Sequence, residues 1–208
     1  MPRADSRPRQ RLNAQDRRAA ILRAAGQAFA AEPYDKVSVA RIAATAGASE
    51  ALVHRYFAGK SGLYLAVAEV GVARLLERQK AADTALGHDA GPRRRLECSL
   101  HVYLDTVTEW SVGWLTPLRS PGNEPSEVIT LRRNARQHYV TLLRDLLDLP
   151  GDRALDYALF GYLGFVDEAC VHWAERGHPA ADRDTITNLA IVALFAALST
   201  SGQYGPLT

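Results

Sequence analysis

The sequence predicts an all-α protein of about nine helices, with a helix-turn-helix near its N-terminus. Apolar residues recur at three- and four-residue spacings along most of the chain. Alternating β-branched runs of the kind that form strands are absent from it. Glycine and proline interrupt the helical pattern near residues 87–92, 117–125, 150–151 and 177–179.

Positive charge is concentrated in the first 60 residues. The 208-residue chain has a formal charge of +2, yet residues 1–60 contain 11 Lys and Arg against 5 Asp and Glu, and residues 61–208 contain 14 against 18. A basic N-terminal part on a weakly acidic remainder suits a polyanion-binding domain. A solvated charged surface would produce the same asymmetry.

Residues 1–14 predict a disordered basic arm, because four arginines lie there among Pro, Ser, Gln and Asn. The arm is either an inert tail or a segment that contacts the DNA backbone or minor groove. From Asp16 onward the pattern is helical, and this first helix is expected to end at Glu32-Pro33.

Residues 38–57 predict two short helices joined by a tight turn. Ser38 is a good N-cap for the first helix, and Ser49 is a good N-cap for a second helix that runs to about Phe57. Gly47 between them tolerates the left-handed backbone that closes a helix. This is a helix-turn-helix, whose second helix enters the major groove of DNA.

The outward positions of the second helix are the candidates for contact with base edges, and Arg55 among them could bind a guanine. Arg41, Arg55 and Lys60 are candidate phosphate contacts, although each could be a solvated charge. The hydroxyls of the two capping serines could cap or donate to phosphates. The candidate DNA-binding residues are Ser38, Arg41, Ser49, Glu50, Ala51, Leu52, His54, Arg55 and Lys60.

This N-terminal part resembles the TetR family of transcriptional regulators over about residues 15–75. The resemblance rests on Ile-Ala-Ala-Thr-Ala-Gly-Ala-Ser at residues 42–49, the Tyr56-Phe57 pair, and Lys60 followed by Leu63. Some positions depart from the family pattern. Ala48 replaces a common Val, Ala51 a frequent Gly, and His54 a Tyr that often contacts phosphate, while Ser61 and Gly62 replace an acidic pair.

The resemblance implies a DNA-binding domain over residues 15–75 and a regulatory and dimerisation domain over residues 76–208, linked by a helix that begins at Lys60. It also implies a homodimer on a palindromic double-stranded operator, most commonly a repressor released by a small-molecule effector. Activation, and an orphan regulator without ligand control, remain open.

Two amphipathic helices, over residues 93–115 and 126–149, combine apolar residues with a few polar groups, as a small-molecule site requires. Given the resemblance, they are expected to form the effector pocket. Ordinary core packing is the alternative reading of the same pattern. The candidate pocket residues are Tyr103, Val107, Trp110, Trp114, Tyr139 and Phe165.

The last two helices, about residues 153–176 and 183–201, are the expected dimer interface, although they could pack only within the monomer. Gly161 and Gly164 would permit close approach. The apolar positions assigned to this interface are Leu155, Leu159, Tyr162, Val166, Trp173, Ile186, Leu189, Ala190, Ala193, Leu194, Ala197 and Leu198.

Other classes of protein find little support in the sequence. It contains no phosphate-binding loop, no dinucleotide-binding motif and no recognisable catalytic set, so neither an enzyme nor a cofactor is expected. Cys98 and Cys170 each have one nearby histidine, too few ligands for a structural zinc site. Widely spaced cysteines, without a signal sequence or membrane span, predict a cytoplasmic protein. A helical small-molecule-binding or interaction protein is the other alternative.

Overall fold

The computed structural model describes residues 13–109 and 124–200, which form eight α-helices and two single-turn 3-10 helices without any strand. The all-α prediction is confirmed. The α-helices are α1 Ala14–Ala31, α2 Val39–Thr45, α3 Glu50–Phe57, α4 Lys60–Leu86, α5 Pro92–Glu109, α6 Ser126–Leu146, α7 Arg153–Glu175 and α8 Arg183–Thr200. The 3-10 helices are Tyr34–Lys36 and Ala180–Asp182.

The N-terminal end of α1 corrects one expected boundary. The side chain of Asn13 accepts a hydrogen bond of 2.8 Å from the backbone N–H of Asp16, so the helix begins at Ala14. The predicted arm otherwise lies outside the described residues.

Local sequence signals determine α2 and α3, as predicted. The hydroxyl of Ser38 accepts from the backbone N–H of Arg41 at 3.5 Å, and that of Ser49 accepts from Leu52 at 3.3 Å. Gly47, in the turn between them, has a φ of +64°, in the left-handed region that favours glycine. Caps and turn together hold α3 in a fixed orientation after α2.

A small apolar core joins the first four helices. It contains Phe29, Ile42, Val53 and Phe57, all buried. Val128 of α6 also lies in this core with none of its surface exposed. A residue from the second half of the chain therefore completes part of the apolar core of the N-terminal helices.

A second core lies among α5, α6, α7 and α8, and α4 connects the two cores. With 27 residues, α4 is about 40 Å long. It packs against α1 and α3 near its N-terminus and against α5 and α6 farther along. Within the described ranges, no helix is both long and apolar enough to cross a membrane.

Candidate DNA interface and effector cavity

One face of α3 is turned to solvent and the opposite face is anchored. Glu50, Ala51, His54 and Arg55 are exposed. Val53 and Phe57, on the opposite side, are buried in the N-terminal core, and the half-buried Leu52 packs against that core. The helix can therefore present its outer side chains to a groove while its packing keeps it rigid.

Arg55 is the exposed arginine of α3 itself. Its guanidinium lies 5.6 Å from the centre of the Tyr56 ring, within the range of a cation–π contact. Arg41 is held differently, because its Nη2 donates to Glu32 Oε1 at 2.6 Å. Arg41 would therefore exchange an acidic partner for a phosphate, whereas Arg55 need not.

Lys60 connects α4 to the first 3-10 helix. Its Nζ donates to the backbone oxygen of Asp35 at 3.3 Å and lies 4.6 Å from the centre of the Tyr34 ring. Partial burial lowers its pKa, against the opposing effect of the Asp35 charge. In the protein without DNA, Lys60 therefore has a structural role, and its contact with phosphate stays a prediction.

Arg18 of α1 is a further cation near this surface, and it was not among the residues predicted from the sequence. Its guanidinium lies 4.9 Å from the centre of the Phe57 ring, and the residue is exposed. Its position on an amphipathic helix gave only the weak signal of a polar face, and packing against Phe57 brings it beside the end of α3.

A cavity of about 420 Å³ lies among α4, α5, α6 and α7. Tyr103 and Tyr139, both expected in the pocket, line it. Val107 does not, because its side chain is fully buried in the second core. Phe165 is a further correction, since it faces outward and is 39% exposed. The other two expected residues, Trp110 and Trp114, lie outside the described residues.

The first polar group in the cavity wall consists of Tyr103, Arg136 and Asp167. The Tyr103 hydroxyl donates to Asp167 Oδ1 at 2.8 Å, and Arg136 Nη2 donates to Asp167 Oδ2. Burial, and next the Asp167 charge, raise the pKa of Tyr103 well above its ordinary value. Tyr103 is thus a neutral donor at physiological pH, and the Asp167 carboxylate has a donor on each oxygen.

A second polar group crosses the cavity wall from α6 to α5. The Tyr139 hydroxyl donates to Gln79 Oε1 at 2.6 Å, and Gln79 Nε2 donates to Ser99 Oγ at 2.9 Å. Burial raises the pKa of Tyr139, which also keeps this phenol protonated. Gln79 was not selected from the sequence, because a polar residue on a long helix is usually solvated.

Arg78 and Glu109 form a third polar group along the wall. Arg78 Nη1 donates to Glu109 Oε1 at 2.9 Å and to Thr106 Oγ1 at 3.2 Å, and Arg74 Nη2 lies 3.7 Å from Glu109 Oε2. The rest of the lining is mainly aliphatic or aromatic. Such a wall suits an apolar molecule with a small number of polar groups.

The outer surface of α7 and α8 differs from the expected dimer interface. Several residues assigned to that interface, such as Leu155, Leu159 and Leu194, are fully buried in the core of their own subunit. They cannot meet a partner subunit. The outer apolar face, as we call it, comprises Tyr157 (73% exposed), Phe165, Leu189 (53%) and Val192 (49%).

Comparisons with known proteins agree with this architecture. Residues 21–67 match the family model of bacterial regulatory proteins of the tetR family. A TetR-family transcriptional regulator from Streptomyces coelicolor superposes with a TM-score of 0.78 at 23% identity, covering 93% of this chain and 85% of that chain. A TetR-like transcriptional regulator from Rhodococcus gives 0.69 at 21% identity, covering 91% and 99%.

FadR from Bacillus subtilis, solved in complex with stearoyl-CoA, gives a TM-score of 0.67 at 16% identity, covering 84% of this chain and 98% of that chain. At these identities the solved structures establish a shared fold. The matched N-terminal segment contains the helix-turn-helix whose caps, turn and outward face are described above. Residues 21–67 therefore match the DNA-binding segment of tetR-family regulators, and the chain as described has the fold of TetR-family transcriptional regulators.

Proposed function

We propose that the protein is a homodimeric repressor that binds a palindromic operator through α3 and leaves it when a small molecule occupies the cavity. One observation carries this proposal: a single cavity is lined by residues of both parts of the chain. Gly26 of α1 and Val67 of α4 belong to the N-terminal part, whereas Tyr103 belongs to α5 and Tyr139 to α6. A ligand there would contact both parts at once.

On DNA, the exposed face of α3 would lie in the major groove, with Glu50, Ala51, His54 and Arg55 toward base edges. Free backbone N–H groups at the starts of α2 and α3 would bind phosphates, assisted by the helix dipoles. Arg41 and Lys60 flank this surface and could bind further phosphates by exchanging their present partners. Ser38 and Ser49 would remain caps.

For the dimer, the outer apolar face of α7 and α8 is the proposed contact with a second copy. Tyr157, Leu189 and Val192 are large and about half or more exposed on two helices that pack side by side. Two such pairs would form a four-helix bundle around a twofold axis. That axis would place two α3 helices on successive turns of DNA and require a palindrome.

For the effector, the mainly apolar wall favours an apolar molecule. FadR of Bacillus subtilis was solved with stearoyl-CoA, so a protein of this fold can hold a ligand with a long acyl chain. The effector would act by changing the separation of the two α3 helices. A coupling of about 1–3 kcal/mol is typical of such regulation.

Selection of bound duplexes from a random-sequence pool tests the DNA-binding part of the proposal. A palindromic consensus with half-sites about one helical turn apart is expected. A reporter gene downstream of the selected sequence then distinguishes repression, which lowers its expression, from activation. Failure to enrich any duplex would contradict the proposal, and operator binding unaffected by any cavity ligand would favour the orphan regulator.

A further inference from the structure

Three side chains connect the cavity with the N-terminal core: Tyr64 of α4, Glu124 just before α6, and Arg132 of α6. The Tyr64 hydroxyl donates to Glu124 Oε1 at 2.5 Å. Arg132 donates two hydrogen bonds to the same carboxylate, from Nε to Oε2 at 2.8 Å and from Nη2 to Oε1 at 2.9 Å. Only 4% of the Glu124 side chain is exposed.

Glu124 depends on these two partners, because a buried carboxylate is stable only when it is paired and hydrogen-bonded. A bidentate arginine–carboxylate pair is among the stronger polar contacts in proteins. Burial lowers the pKa of Arg132, but hydrogen bonds and charge from Glu124 outweigh this and the net pKa is raised. Arg132 therefore stays charged at physiological pH.

The two ends of this link lie in different parts of the molecule. The Tyr64 ring is 4.7 Å from the ring of Phe29 and 4.9 Å from that of Tyr34, centre to centre, inside the N-terminal core. Arg132 lines the cavity, whereas neither Tyr64 nor Glu124 does. Of the three residues, Arg132 is thus the one that a cavity ligand can touch.

We propose that the effector is an apolar molecule with an anionic group, a carboxylate or a phosphate, which binds Arg132 in competition with Glu124 and thereby weakens the contact between α6 and the N-terminal helices. This inference rests on the proposed function and names the ligand class and the route of its regulation. It requires no covalent change, only the exchange of one anionic partner of Arg132 for another.

The charges around the cavity favour an anion over a cation. Among the described residues, four arginines line it, at positions 74, 78, 132 and 136, against the two carboxylates of Glu109 and Asp167. Both carboxylates already accept from arginine. A cationic ligand would have to displace an arginine from its carboxylate, whereas an anionic ligand would be attracted by the arginines already present.

Loss of Arg132 would leave Glu124 buried with a negative charge and only the Tyr64 hydroxyl as a partner among these three residues. Glu124 is two residues before the start of α6, and Val128, four residues later, fills the N-terminal core. Movement of Glu124 toward solvent would therefore shift the start of α6 and weaken the packing of Val128 in the N-terminal core.

Decanoate and decanol test this inference, since they share a chain and differ in the anionic group. In the wild-type protein, calorimetry should show decanoate binding roughly tenfold or more tightly than decanol, because bonds to a charged group are the stronger ones. Decanoate should also speed amide hydrogen exchange in α1 to α3, and decanol should not. Equal binding of the two, no binding of decanoate, or unchanged exchange would overturn the inference.

Arg132→Gln should weaken decanoate binding roughly tenfold and speed exchange in α1 to α3 without any ligand. Arg136→Gln is the matched control, one helical turn farther along the same cavity wall but paired with Asp167 instead of Glu124. It should leave exchange in α1 to α3 unchanged. An Arg132→Gln protein indistinguishable from Arg136→Gln in both measurements would contradict the proposed link.

Because Arg132→Gln leaves a buried carboxylate unpaired with arginine, a second variant combines it with Glu124→Gln, which removes that charge. The double variant should bind decanoate as weakly as Arg132→Gln does, and wild-type affinity in it would overturn the inference. None of these measurements involves DNA. A protein that enriches no duplex but responds to decanoate as described would thus refute the proposed function alone.

Discussion

Gly62, in the first turn of α4, lies directly against the carbonyl group of Phe57, the last residue of α3. A β-carbon added to Gly62 would be 1.9 Å from that oxygen, which is backbone and cannot rotate away. The close approach positions α4 immediately after α3. The packing of the helix-turn-helix on the linking helix thus requires glycine at position 62.

Gly62→Ala should therefore destabilise the protein by about 1–3 kcal/mol, the usual range for overpacking. Gly71→Ala is the matched control in the same helix, because nothing lies within 4 Å of an added β-carbon there. Alanine in a helix interior is favoured over glycine by about 1 kcal/mol, so this variant should be as stable or more stable. Urea unfolding followed by circular dichroism measures both, and equal stability of the two variants would contradict the packing argument.

Arg55→Ala should weaken operator binding without changing the fold. If Arg55 contacts one phosphate, the slope of log affinity against log salt should fall by about 0.9, whereas a guanine contact should instead relax specificity at one base pair. Fluorescence anisotropy over a salt series distinguishes the two. Arg133→Ala, an exposed arginine on α6, is the control and should bind as the wild type does. Wild-type affinity in Arg55→Ala would remove Arg55 from the interface.

Leu189→Glu and Val192→Glu should convert the proposed dimer to a monomer, because each would place a charge in the apolar centre of the proposed contact. Light scattering coupled to size-exclusion chromatography gives the mass. Leu142→Glu, also an exposed leucine but on α6, should remain dimeric. A monomeric wild-type protein would contradict the proposed dimer. Variants that stay dimeric would show that the interface does not lie on the outer apolar face.

Asp105 and Arg183 should make stability depend on pH. Arg183 Nη1 donates to Asp105 Oδ1 at 2.5 Å, and this hydrogen bond, against partial burial, holds the pKa of Asp105 below its ordinary 3.8. A carboxyl whose pKa is depressed by folding stabilises the protein above its unfolded pKa and ceases to do so as pH falls through its folded pKa. The contribution is therefore complete at neutral pH and disappears in acid below pH 3.8.

Asp105→Asn should accordingly be less stable than the wild type at neutral pH, by less than about 1 kcal/mol because the pair is partly exposed. The difference should vanish in acid. Asp89→Asn, at an exposed carboxylate in the turn before α5, is the control. Urea titrations across this pH range measure the effect, and a gap between wild type and Asp105→Asn that persists in acid would contradict it.

Local signals in the sequence were sufficient for the helix-turn-helix. Ser38 and Ser49 cap the two helices, and Gly47 forms the turn between them. Each of these effects involves backbone groups only a few residues away, so the local sequence predicts it. The outward face of α3 follows from helical periodicity once its buried side is known. These features could be predicted because no distant part of the chain is needed to produce them.

The tertiary structure alone decided which apolar residues face a core, a cavity or solvent. Val107 and Tyr103 lie one helical turn apart, yet the first fills a core and the second lines the cavity. On α7 and α8, which are apolar on more than one side, periodicity pointed to the buried stripe, while Tyr157 and Val192 form the exposed one.

Helical spacing, in short, determined the elements and the DNA-reading motif from the sequence by itself. It could not determine what each apolar face meets, since that depends on where helices distant in sequence pack. Val128 in the N-terminal core and the contact from Tyr64 through Glu124 to Arg132 exist only because the start of α6 docks on helices from earlier in the chain, and Tyr64 and Glu124 are 60 residues apart in sequence.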